Sequence, residues 1–140
     1  MYKYHVNVDW IKERRTKVKI KKYELEVDSP PEFKGPEGTI TPEELLPSAL
    51  ASCLLTTFLE FKDKLEINLY EWSSSADAVL SPSPEKGFKF DSISIHVKLK
   101  VDPQDKEKVP KAIELAKKYC IISRAIKNNI DEKVDFEFIE

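Results

Sequence analysis

The stretch from Thr41 to Phe61 constrains the fold more than any other part of the chain. Thr41, Pro42 and Glu44 spell a helix start: a hydroxyl cap, a proline at the first helical position, and an acid three residues after the cap. Beyond it Leu46, Ala49, Leu50, Cys53, Leu54, Phe58 and Phe61 fall almost all the way round the helix. A helix patterned like that must be enclosed on most sides. Pro47 lies inside it, and a residue that lacks a backbone donor and crowds the preceding turn predicts a kink or break between Leu46 and Ser48.

Strands have to supply the enclosure. Tyr2, Tyr4, Val6, Val8 and Trp10 alternate as an opening strand, and Lys12 to Arg15 fits a turn. Val18 and Ile20 carry one alternation and Tyr23, Leu25 and Val27 another, so the slip at Lys21 and Lys22 predicts a bulge or a second turn. The lysines between positions 12 and 22 read as a solvated face that protects a sheet edge. Asp28 to Thr39, with three prolines and two glycines, must be a loop.

After the helix, strands are expected at Ile67 to Leu80 and Phe88 to Val101, then a helix from Asp105 to Tyr119. A short helix capped by Ser123 and running to about Asn128 follows, and Val134, Phe136 and Phe138 alternate as a closing strand. This order defines the α+β class, and 140 residues amount to a single domain, residues 1–140.

The charge balance of 23 basic against 25 acidic side chains leaves no electrostatic footprint for a nucleic acid or an anionic membrane. No uninterrupted apolar run reaches the length of a membrane span, and the N-terminal segment is not a signal peptide. A cytoplasmic protein is expected, with neither nucleic acid nor membrane as partner. In a reducing compartment the two cysteines, Cys53 and Cys120, are more natural as a reactive dithiol than as a staple.

Cys53 lies in mid-helix, where a thiol is as readily an inert packed side chain as a reactive one. Cys120 falls at a helix end, one turn before the helix capped by Ser123, whose free amides would favour a nearby thiolate. His5 and His96 sit in strand patterns far apart, so neither a metal centre nor a base for a cysteine hydrolase is expected, and no cofactor is called for. Two thiols without a histidine suit one remaining chemistry: a thiolate attacks a peroxide oxygen, and the second thiol resolves the sulfenic acid to a disulfide. That thiolate needs a cation. Arg14 and Arg15 can supply it, with Glu43 to orient the guanidinium, although a solvated turn and a first-turn acid account for the same residues equally well.

At these residues the chain resembles the OsmC/Ohr family of osmotically inducible and organic hydroperoxide resistance proteins. Thr41-Pro42-Glu43-Glu44-Leu45-Leu46 with Ala49-Leu50-Ala51-Ser52-Cys53 is similar to its first-cysteine segment, and Ala116 to Ser123 around Cys120 is similar to its second. The resemblance implies antiparallel sheets wrapped around a buried central helix in an intertwined homodimer. It also implies Cys53 as peroxidatic and Cys120 as resolving cysteine, Glu43 orienting an arginine, an organic hydroperoxide as substrate and a dithiol, lipoyl-type for example, as reductant. Glu13-Arg14-Arg15-Thr16 lacks the family's flanking glycines and Ile121 stands where many members have proline, which brings the chain nearer the less characterised members. The expected function is a thiol-dependent peroxidase with an alkyl pocket lined by Leu46, Leu50, Leu54 and Phe58. The alternative is a dimer that binds a small ligand in the same cleft without turnover.

Overall fold

A computed structural model describes residues Met1–Glu140. The chain divides into two compact units, residues 1–46 and 47–140.

The first unit is built on a three-stranded antiparallel meander, β1 (Asn7–Lys12), β2 (Arg15–Ile20) and β3 (Tyr23–Val27). Both connections are two-residue turns whose first residue is left-handed, Glu13 at φ 50° and Lys21 at φ 55°. The alternation slip at Lys21 is therefore a hairpin turn, which reverses the chain. β2 is the central strand, so its lysines do not guard an edge. Lys19 reaches Asp9 on β1 at 3.2 Å and Lys17 reaches Glu24 on β3 at 3.7 Å. Tyr2, Tyr4 and His5 precede β1 rather than belonging to it. The loop after β3 closes on itself: the Asp28 amide donates to the Ile40 carbonyl at 2.9 Å, and Val27 forms a parallel bridge with Ile40. Gly35 permits this closure, since a Cβ there would stand 1.5 Å from the Ser29 carbonyl oxygen.

α1 (Pro42–Lys64) begins with the expected capping box, in which the Glu44 carboxylate accepts from both the Thr41 amide and hydroxyl at 3.0 Å. It runs through Pro47 without interruption. One backbone bond is lost there, but helices in proteins owe most of their stability to the face they bury. Here that face is Leu50, Leu54 and Phe58, each fully buried. By length and hydropathy α1 is sufficient to cross a membrane, although polar residues interrupt its apolar ones; in this fold Leu50, Leu54 and Phe58 belong to the core of the second unit.

That unit holds the other sheet, β4 (Leu69–Pro82), β5 (Phe88–Val101) and β6 (Asp131–Phe138), with β5 central. β4 and β5 form an antiparallel hairpin. β6 pairs with β5 in parallel, unlike the antiparallel arrangement expected, because the intervening helices carry the chain back to the starting end of β5. Ile93, Ile95, Val97 and Leu99 turn inward at 0–1% exposure, and Phe58 packs on Trp72 with ring centroids 4.7 Å apart. A 3-10 turn (Pro103–Lys108) leads into α2 (Val109–Tyr119), then α3 (Ile121–Ile126).

Candidate functional site

The sequence-predicted residues fall into one group in each unit. In the second unit, Cys53 lies on the fourth turn of α1 and Cys120 at the joint between α2 and α3. Cys120 keeps its backbone extended at ψ 122°, which ends α2, and its sulfur accepts the Ser123 amide at 3.4 Å. The cap of α3 is thus Cys120, and Ser123 lies inside the helix, correcting the expected assignment. A thiolate or thiol sulfur in that extended position does what a serine oxygen does at an N-cap.

The fold brings the two sulfurs together as free thiols. Burial disfavours the Cys53 thiolate, yet its pKa is lowered overall. The Ile122 amide, the Cys120 thiol, the Thr57 hydroxyl and the Ile121 amide surround its sulfur as groups that can donate to a thiolate, and together they outweigh desolvation. The free amides of α3 therefore serve Cys53 more than Cys120. Burial pushes the Cys120 thiol up, and its contact with Cys53 adds to that against the donors of Ser123. The pair is asymmetric: a half-exposed sulfur biased toward thiolate beside a wholly buried one biased toward thiol. Such a pair can deliver one nucleophile and hold one proton in reserve.

Thr57 belongs to this constellation and was not singled out by sequence. Its hydroxyl donates to the Cys53 carbonyl at 2.8 Å and lies 3.9 Å from the Cys53 sulfur. The only signal was its position one helical turn after the cysteine. Nearby, Thr56, Thr57, Glu60, Phe61, Lys64, Leu115 and Tyr119 line a cavity of about 640 Å³ between α1 and α2. Of Leu46, Leu50, Leu54 and Phe58, expected to line an alkyl pocket, the last three are spent in the core and only Leu46 keeps part of its surface.

In the first unit, Arg15 opens β2 and its Nε donates to the Asp28 carboxylate at 2.9 Å. That carboxylate, 5% exposed, keeps the guanidinium charged. Arg14 is exposed in the β1–β2 turn. Glu43, in the first turn of α1, carries a buried carboxylate oxygen without a hydrogen-bond partner. Asp28 went unnoticed in the sequence because it stands at the mouth of a proline-rich loop, where an acid ordinarily means a turn. No group of three or more histidine, cysteine or acidic side chains is arranged to hold a metal.

The family model for OsmC-like proteins matches residues 35–135, a span that includes both cysteines and Glu43. The chain belongs to the OsmC-like protein family. Among solved structures it is similar to an OsmC-like protein of Mycoplasma pneumoniae (TM-score 0.86, 16% identity, 99% of each chain covered). It is also similar to an organic hydroperoxide resistance protein of Elizabethkingia anophelis (TM-score 0.83, 20% identity, 99% of each chain). An OsmC-like protein of unknown function from Vibrio cholerae aligns at TM-score 0.83 and 17% identity, over 99% of this chain and all of that one. The comparison with curated proteins finds no match.

Proposed function

We propose that this protein is a thiol-dependent peroxidase that reduces organic hydroperoxides through a Cys53/Cys120 cycle. The observation that carries the reading is the asymmetric sulfur pair, with amides, a hydroxyl and a second thiol all aimed at Cys53. The Cys53 thiolate attacks the terminal oxygen of R–O–OH, the O–O bond breaks, and the alkoxide leaves as R–OH after taking a proton; Cys53 is then a sulfenic acid. Cys120 condenses with it, releasing water and forming the disulfide. A dithiol reductant, lipoyl-type among the candidates, restores both thiols and leaves as its own disulfide.

Arg15 supports the developing alkoxide, and Glu43, whose buried oxygen lacks a partner, is the acid that orients the guanidinium when it leaves Asp28. Arg14 stays solvated. The assembly is a homodimer, supported by Tyr2, Tyr4, Val8 and Trp10, which are 58–92% exposed in the single chain. A compartment that keeps thiols reduced, the cytoplasm, suits the cycle.

Turnover of cumene hydroperoxide with a dithiol reductant tests this. Wild type consumes peroxide catalytically, Cys53→Ser falls to background, and Arg15→Ala loses about 100-fold in kcat/KM. Wild-type activity no higher than Cys53→Ser would sink the proposal. It would favour the second reading, a non-catalytic ligand-binding dimer, which draws on the pairing of Arg15 with Asp28 instead of Glu43.

A further inference from the structure

The Cys53 carbonyl is crowded with donors. It takes the Thr57 hydroxyl at 2.8 Å and the Thr56 hydroxyl at 3.1 Å, and as a mid-helix carbonyl it also stands opposite the Thr57 amide one turn on. A carbonyl oxygen has two lone pairs, so three donors exceed what it can accept well. One of them is spare. Of the two hydroxyls, only that of Thr57 also lies beside the sulfur, at 3.9 Å.

We infer that Thr57 is a positioning residue for Cys53: its hydroxyl turns from the Cys53 carbonyl to the Cys53 sulfur when the thiol loses its proton. In the thiol state the sulfur donates to the Thr57 oxygen while Thr57 donates to the carbonyl. In the thiolate state the sulfur has no proton to give and becomes a strong acceptor. The hydroxyl then rotates about its C–O bond, and the carbonyl keeps the Thr56 hydroxyl and the helix amide. No backbone group is left unpaired, so the switch is cheap in the ground state and the gain is a charge-assisted hydrogen bond to sulfur. Back-bonding by threonine to the preceding turn is common in helices. What sets this one apart is that the carbonyl it bonds belongs to the reactive cysteine itself.

The inference deepens the proposed peroxidase reading, since it concerns the same sulfur, but its test does not use peroxide. Iodoacetamide alkylation of Cys53, followed by peptide mass spectrometry as a function of pH in a Cys120→Ser background, reports the thiolate fraction directly. Thr57→Val, which keeps the shape and loses the hydroxyl, is expected to raise the alkylation midpoint by about one pH unit, a tenfold loss of thiolate at a pH below both midpoints. Thr57→Ala gives the same shift if valine disturbs packing, and Thr57→Ser returns the midpoint to within about 0.3 units of wild type. An unchanged midpoint in Thr57→Val and Thr57→Ala, or a Thr57→Ser midpoint displaced as far as theirs, overturns the inference. A shifted midpoint in a protein that turns over no peroxide would support the hydroxyl switch and reject the peroxidase reading, so the two fail separately.

Discussion

The two sheets of this chain are written in the same alternating pattern and meet opposite fates. In β5, Ile93, Ile95, Val97 and Leu99 are at most 1% exposed. In β1, Val8 and Trp10 are 58% and 75% exposed, and every residue of the strand faces solvent. Period-two hydrophobicity declares a face to be covered without saying by what. In the second unit the cover comes from within the chain, through α1, α2 and α3. In the first, β1 keeps an uncovered apolar set of the kind that a second copy of the chain would bury.

Breaking the covered sheet should produce the largest effect. Phe58→Ala removes a fully buried ring that packs on Trp72 and should cost about 3–5 kcal/mol, read as a shifted midpoint in urea. Gly35→Ala strikes the first unit instead, where a methyl group would overlap the Ser29 carbonyl and force the loop apart. A loss of about 1–3 kcal/mol is expected, with neighbouring Gly38→Ala free of that clash but still strained by its φ of 81°. Trp10→Glu sharpens the comparison from the other side: sedimentation should show dimer giving way to monomer, while the thermal midpoint of the isolated monomer barely moves. A wild type that is monomeric at all concentrations would show that the uncovered face is merely solvated.

The smallest effect belongs to the outer face of the covered sheet. His96 on β5 lies between Asp135 at 2.5 Å and Glu137 at 3.4 Å on β6, and its pKa is raised, chiefly by the Asp135 hydrogen bond and then by Glu137. Lys98 also reaches Glu137, at 3.7 Å, and competes for it. A raised folded-state pKa stabilises fully below the unfolded histidine value and fades as pH climbs through the folded one. The melting temperature of wild type should therefore exceed that of His96→Gln at roughly pH 5 and match it at roughly pH 9. An advantage that grows with pH would have the sign wrong.

Much of the architecture was legible because single residues dictate it locally. Thr41 and Glu44 specify a helix start whatever surrounds them, and Ile93 to Val101 reads as a strand because its alternation is unbroken. The failures share a cause: they depend on what the chain folds against. Lysines on β2 suggested an edge, since the partners Asp9 and Glu24 become visible only once the register is known. Leu50, Leu54 and Phe58 were assigned to a cleft, but hydrophobicity does not distinguish a core from a pocket. Serine is a usual cap and marks Ser123 in the sequence, whereas the extended backbone of Cys120 makes the cysteine the cap. For the site, both sulfurs were found from type and position, whereas Thr57 and Asp28 are ordinary residues until coordinates put them beside a thiol and a guanidinium.

A peroxidase of this kind must pass electrons from its paired sulfurs to a peroxide. Intact-mass and peptide analysis after one equivalent of cumene hydroperoxide should show the wild type losing two hydrogens and both free thiols, with Cys53 joined to Cys120. Cys120→Ser should stop at a sulfenic acid on Cys53. A wild-type protein that emerges with both thiols intact would contradict the account.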